Sequence, residues 1–237
     1  MTGMGTTLLS LFLLATAIPD CPPLQTVDFE QRNAYRGYIG ILSYPSFFTH
    51  QPCASDTTID VFAEPASDRR IAQLRRTKNE GCRPAVHVVA NNSVAHCPRL
   101  EVPYGEYGYE ERGFIALAEK GRWVQIVLDA GSGWIRKERG SEVHPYEHMA
   151  YGISQLTNGW NGVLFRAPGG KRWKPKGETD RSVEVLDSRT FRKMLWFKVR
   201  LLDESVCSGH PKTIAVGWVP AYDANWDPLV FNYSRGC

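Results

Sequence analysis

The sequence predicts an all-β protein of two small modules in tandem, and three observations predict it. Helical periodicity is scarce along the 237 residues. Short alternating segments rich in Val, Ile, Phe, Tyr and Trp recur between Gly, Pro, Asn and Asp, the pattern of half-buried strands joined by turns. A tryptophan-led motif then occurs twice in the same order, which is the mark of a repeated unit.

At the N-terminus, Met1 to Ala17 reads as a secretory leader (1–17). Thr6 to Ala17 holds an apolar core too short to span a bilayer and ends in Ala15-Thr16-Ala17, an A-x-A cleavage pattern, although the α-amine is the only positive charge ahead of it. Cleavage after Ala17 leaves Ile18 first. Cys21 is not read as a lipid attachment site, because Ile18-Pro19-Asp20 puts a proline and a charge where small residues are needed. No later segment is apolar over a sufficient length to cross a membrane, so the chain is expected to be secreted or periplasmic and not membrane-spanning.

Strands are expected at Tyr38 to Ser43, Ile59 to Phe62, Ala85 to Ala90, Phe114 to Ala118, Trp123 to Leu128 and Trp196 to Leu202. The first copy of the repeat runs Trp123 to Asp129, a Gly-containing turn that tolerates positive φ, then Gly133-Trp134-Ile135. The second runs Trp196 to Asp203, a loop enlarged by Glu204 to Thr213, then Gly217-Trp218-Val219-Pro220. Upstream of each lies a strand that stops at a proline: Asp60 to Pro65, and Gly162 to Pro168.

On these residues the chain resembles the bacterial SH3-like domains, small barrels found in many secreted and cell-wall proteins. The first module matches at Val61 to Pro65, Ile71 to Leu74, Trp123 to Leu128 and Gly133 to Ile135. The second matches at Leu164 to Pro168, Val183 to Leu186, Trp196 to Leu201 and Gly217 to Val219. The resemblance covers about half of the mature chain and implies two tandem SH3-like small β-barrels with inserted loops and a short linker helix. The expected organisation is an N-terminal extension packing on the first barrel (18–56), a first barrel (57–138) with an insertion at about 75–109, a linker (139–157) and a second barrel (158–237). Ser141 to Gln155 is the helix candidate within that linker, and Arg36 to Ile39 echoes Arg112 to Ile115.

Six cysteines remain after cleavage: Cys21, Cys53, Cys82, Cys97, Cys207 and Cys237. An even count in an oxidising compartment argues for three disulfides, with sequential pairing the preferred one of 15 connectivities. Loop closure of this kind offsets the small core of small barrels.

Composition and charge bound the chemistry. A hydrophobic fraction of 43% with 22% charged residues is ordinary for a globular protein, and a net charge of +3 is too mild for a dedicated nucleic-acid binder. Cys207-Ser208-Gly209-His210 places a thiol near an imidazole, but a disulfide accounts for the thiol, and catalytic geometry needs spatial rather than sequential neighbours. His144 and His148 are spaced i, i+4 and Cys82, His87, His96 and Cys97 imitate a zinc set; a solvated helix face and a disulfide explain them, so no metal and no cofactor is assigned. The Gly169-Gly170-Lys171 turn lacks Walker spacing. It continues into Arg172 to Gly177, a basic run read chiefly as a solvated hairpin tip, with contact to an anionic polymer as the functional alternative. Asn91-Asn92-Ser93 and Asn232-Tyr233-Ser234 match the glycosylation sequon, which the bacterial source implied by the resemblance would make accidental.

Aromatics offer the better binding set. Tyr104, Tyr107 and Tyr109 share one probable loop with several carboxylates, and Tyr presents large contact area at low entropic cost. Together with Trp134, Trp173, Trp218 and Tyr222 they form the candidate ligand-binding residues, while Trp123, Trp134, Trp196 and Trp218 are read as core or groove floor rather than direct contacts. The expected function is non-catalytic binding of a cell-wall component (peptidoglycan peptide or glycan) or of an envelope protein, with no nucleic-acid partner. An envelope hydrolase and an inhibitor or immunity-type protein are the competing classes.

Overall fold

The structure is a computed structural model that describes residues 37–48, 56–78, 84–90, 93–96, 103–108, 111–128, 131–176, 181–205 and 208–232. The leader, all six cysteines and Tyr109 lie outside the described residues. What is described is mostly β-strand, arranged in two antiparallel sheets, with one short helix.

In spatial order the first sheet runs β10 (Val143–Pro145), β1 (Gly40–Ser43), β7 (Glu111–Lys120), β8 (Trp123–Leu128), β9 (Gly131–Arg136), β2 (Thr57–Phe62), β3 (Arg70–Arg76), β4 (Pro84–Ala90) and β5 (Ser93–His96), and β6 (Tyr104–Gly108) also pairs with β7. The second runs β13 (Arg172–Trp173), β12 (Leu164–Phe165), β16 (Thr213–Pro220), β15 (Met194–Leu202), β14 (Ser182–Phe191), β11 (Gly152–Leu156) and β17 (Val230–Asn232). Between them lies α1 (Tyr146–Met149).

Period-2 alternation explains which face each strand buries. In β15, Phe197, Val199 and Leu201 point into the core while Lys198 and Arg200 are half-buried on the far face. In β8, Val124, Ile126 and Leu128 are buried and Trp123 and Gln125 face outward. The buried faces build two cores: one around Leu42, Val61, Leu74, Phe114, Ile126 and Ile135, the other around Leu164, Val183, Phe197, Leu201, Val219 and Val230.

Pairing offsets agree between the sheets. Gln125 lies opposite Trp134 and Ile126 opposite Gly133. Lys198 lies opposite Trp218 and Val199 opposite Gly217. In β7 the register jumps from Ala116 to Ala118, leaving Leu117 as the bulge, and in β14 it jumps from Val185 to Asp187, leaving Leu186. Gly40 pairs with Ala116 and Gly152 with Val185, so β1 and β11 meet the bulged strands at the same point.

Several expectations are refined here. The sheets are all-β and antiparallel, but neither closes into a barrel among the described residues, because β10 and β17 stand at one edge while β2 and β12 are met on the other side by β3 and β13. Ile71 to Leu74 is not the counterpart of Val183 to Leu186. It lies in β3, which forms a hairpin with β2 as β13 does with β12, whereas Val183 to Leu186 lies in β14, whose place in the first sheet is taken by β7. The linker helix over Ser141 to Gln155 shrinks to one turn, since Val143–Pro145 and Gly152–Leu156 are recruited by the strand edges beside them. The extension before residue 57 contributes β1, an interior strand between β10 and β7. Arg36 lies outside the described residues; the residues after it lead into β1, and Ile39 donates its N–H to the Ala116 carbonyl across the β1–β7 pair.

Candidate functional site

Alternation places a matched aromatic set on the outer face of each sheet. In the first, Phe62 at the end of β2 pairs with Trp134 of β9, and its ring meets Trp123 edge to face at 5.4 Å. In the second, Phe165 pairs with Trp218, and its ring meets Trp196 edge to face at 5.0 Å. Edge-to-face pairs put the positive ring edge against the negative face, which fixes each ring. A glycine precedes each inner tryptophan for a steric reason: a Cβ at Gly133 would lie 2.3 Å from Val61 Cγ1, and one at Gly217 would lie 2.9 Å from Leu164 Cβ.

The two sets differ in cover. Phe62, Trp123 and Trp134 are each half-buried, with the Gln125–Ser132 side-chain hydrogen bond beside them at 2.8 Å. Trp196 and Trp218 are buried, and the Arg189 guanidinium sits 5.3 Å above the Trp218 ring, held from the other side by Asp187. The first platform is open and the second is roofed. Trp196 Nε1 has no hydrogen-bond partner among the described residues.

The remaining predicted aromatics are dispersed. Tyr104 is exposed on β6, against Phe48 and under the Arg112 guanidinium. Tyr107 stacks on His144 at 3.9 Å with rings nearly parallel, and partial burial followed by the Glu111 carboxylate raises its pKa. Trp173 packs on the second core from β13. Tyr222 belongs to the junction of the two sheets, where it donates to the Tyr38 carbonyl at 2.6 Å. Of the six described candidates, Trp134 and Trp218 occupy corresponding places, and no single site gathers the other four.

No family model matches this chain, nor does any curated protein or solved structure.

At the junction, Tyr38, Tyr146 and Tyr222 pack together, with ring centroids 5.1 Å (Tyr38–Tyr146) and 5.5 Å (Tyr146–Tyr222) apart. Burial pushes the Tyr146 phenol well above its ordinary pKa and the Tyr222 phenol up to about 12. The cleft beside them, lined by Tyr38, Ile41, Glu106, Ile115 and Tyr146, has room for only about two water molecules.

Of the residues considered for catalysis and metal binding, Cys82, Cys97 and Cys207 lie outside the described residues. His210 is exposed in the enlarged loop before β16. His144 is in β10 and His148 in α1, so they do not share a helix face, and Tyr107 covers the His144 ring. Sequence reasoning did not single out Phe191 or Trp226, which are 39% and 46% exposed. Phe191 announces itself by preceding Arg192-Lys193, the hairpin turn between β14 and β15. Trp226 sits at positive φ in a loop tied by the Asp223 carboxylate to the N–H groups of Asn225 and Asp227, a pattern that sequence alone shows only as a cluster of turn formers.

Proposed function

We propose that the two sheets are two copies of one SH3-like module and that the protein is a non-catalytic binding protein of the cell envelope. The observation that carries this reading is the paired Phe–Trp–Trp constellation, Phe62, Trp123 and Trp134 in one sheet and Phe165, Trp196 and Trp218 in the other, at the same register and on the same outer face. Recurrence of aromatic geometry on a solvent-side face is not required by either core, which is filled from the opposite face. A recognition role accounts for it, because half-buried aromatic rings offer large, rigid contact area to a peptide or glycan. The open platform of the first module is the ligand surface in this reading, and the roofed one is its modified copy. The leader-like first 17 residues and six cysteines support an extracytoplasmic setting, with a wall peptide, a wall glycan or an envelope protein as the ligand class.

The test is co-sedimentation with purified peptidoglycan. Wild-type protein is expected in the pellet, Trp134→Ala and Trp123→Ala in the supernatant, and Trp218→Ala, if folded, in the pellet. Equal sedimentation of all variants, or none by the wild type, overturns the platform as the wall-binding site.

A further inference from the structure

The second sheet carries a cationic face that the first lacks. Its loop from β12 to β13 and the stretch after it present Arg166, Lys171, Arg172, Lys174 and Lys176, all exposed, with no acidic residue between 166 and 176. The β14–β15 hairpin adds Arg189, Arg192 and Lys193, also exposed. The two tips touch: the space where a Gly169 Cβ would stand is occupied by the Phe191 ring, 2.6 Å away, so glycine is what lets the hairpin lie on the loop. Glu178 and Asp180 follow in the chain, outside the described residues.

The fold does not demand this charge. The corresponding stretch of the first sheet is basic but less open: Glu64 and Asp68 accompany Arg69, Arg70 pairs with Asp60 at 3.0 Å, Arg75 is half-buried and Arg76 buried, leaving Lys78 exposed, and Glu119 stands beside Lys120 and Arg122 at the shorter β7–β8 hairpin. In the second sheet the hairpin runs two residues further on each side, through Phe191–Met194, and that extension supplies Phe191, Arg192 and Lys193. With a chain net charge of +3, eight cations on one face leave the rest of the molecule net negative. Two of the guanidiniums are also held in place, Arg189 over Trp218 at 5.3 Å and Arg192 over Phe191 at 5.2 Å. Each ring restricts the guanidinium above it, and the Arg189 fork is shared with the Asp187 carboxylate at 3.5 Å.

We propose that this face binds a linear phosphate polymer, a chain of phosphodiesters or phosphoanhydrides recognised by its oxyanions. Spacing supports it: Arg172, Lys174 and Lys176 are exposed at every second residue, while Trp173 and Pro175 between them are half-buried. A sugar or a base would need a bare ring to stack on, and the arginines occupy the Trp218 and Phe191 faces. An acidic peptide joining by strand addition would need a run of edge N–H groups, but β13 is two residues long and Pro175 has none to give. The inference does not depend on the wall-binding reading, and its test uses a different ligand.

Inorganic polyphosphate is the probe, measured by calorimetry over a salt series, with heparin and poly-glutamate of similar length as competitors. The expected result is binding whose log K falls linearly with log salt. The triple variant Arg172→Glu/Lys174→Glu/Lys176→Glu should bind at least about tenfold more weakly, with a slope shallower by about 2, while Lys120→Glu/Arg122→Glu in the first sheet stays within about twofold of wild type. The altered residues are exposed, so circular dichroism should be unchanged, and an Arg192→Ala variant gives a second, milder reading in the same direction. Tighter binding to heparin or poly-glutamate, equal losses from the two sets of variants, or no polyphosphate binding at low salt each overturn the proposal.

Discussion

Removing one oxygen from Tyr146 tests how the second sheet is closed at its edge. Tyr146 is 2% exposed and its ring is packed by Tyr38, Phe197 and Tyr222. Its hydroxyl donates to the Val230 carbonyl at 2.6 Å and accepts from the Val230 N–H at 3.1 Å. Val230 is in β17, the last strand of its sheet, paired on one side with β11. On the other side the phenol stands where a neighbouring strand would be and satisfies both backbone groups. Tyr146→Phe keeps the ring and its contacts but strands a donor and an acceptor that are almost wholly shielded from water, Val230 being 1% exposed. Each such orphan costs about 1–3 kcal/mol, so a loss of about 2–4 kcal/mol is expected. For a chain of this size that corresponds to a fall in Tm of about 4–16 °C. The measurement is a urea titration followed by far-UV circular dichroism, with an unchanged m-value as the sign that only stability moved. A loss below about 0.5 kcal/mol would refute the idea that the phenol closes the strand edge.

Three further outcomes are expected. Gly133→Ala and Gly217→Ala should each destabilise by about 1–3 kcal/mol, because the new methyl meets Val61 or Leu164 in a packed core; denaturation midpoints equal to wild type would contradict this. Stability should fall at alkaline pH, since burial raises the Tyr38 and Tyr146 phenols above the unfolded value near 10. The folded state keeps protons that the unfolded state releases, so their contribution is intact below about pH 10 and drains away at higher pH, at about 1.4 kcal/mol per pH unit for each phenol. A denaturation midpoint that stays constant between pH 9 and 11.5 would rule this out. Non-reducing peptide mapping should find Cys21, Cys53, Cys82, Cys97, Cys207 and Cys237 in three closed pairs; a free thiol at Cys207 would reopen the nucleophile reading.

Strand content was legible in the sequence because period-2 alternation is local. Trp123–Leu128 appears with the limits its pattern announced, and Trp196 to Leu202 lies within β15, which starts two residues earlier. The Gly-Trp pairs marked a close approach, but they lie inside β9 and β16 rather than opening them, because strand pairing reaches back to Gly131 and Thr213. Strand partnership was not legible. Gly40–Ser43 and Gly152–Leu156 look like parts of an extension and a linker until β7 and β14 lie beside them, and the pairing of Ile71 to Leu74 with a remote segment of the second module failed because register is set by hairpin partners rather than by apolar content. The helix over Ser141 to Gln155 failed likewise, as one turn has few internal hydrogen bonds to set against two available sheet edges.

By itself, then, the sequence determined that this chain is β-rich, that its tryptophan motifs come as two ordered sets, and that the Arg172 to Gly177 segment is basic. Those properties reside in residue type and near-neighbour spacing. Only the tertiary structure decided that Phe62 and Phe165 belong with those tryptophans, that one aromatic platform is open while Arg189 roofs the other, and that the Arg192-Lys193 turn joins the basic loop through Gly169 and Phe191. Each of these depends on contacts between strands distant in the chain, where register and side-chain volume, not local propensity, choose the neighbour.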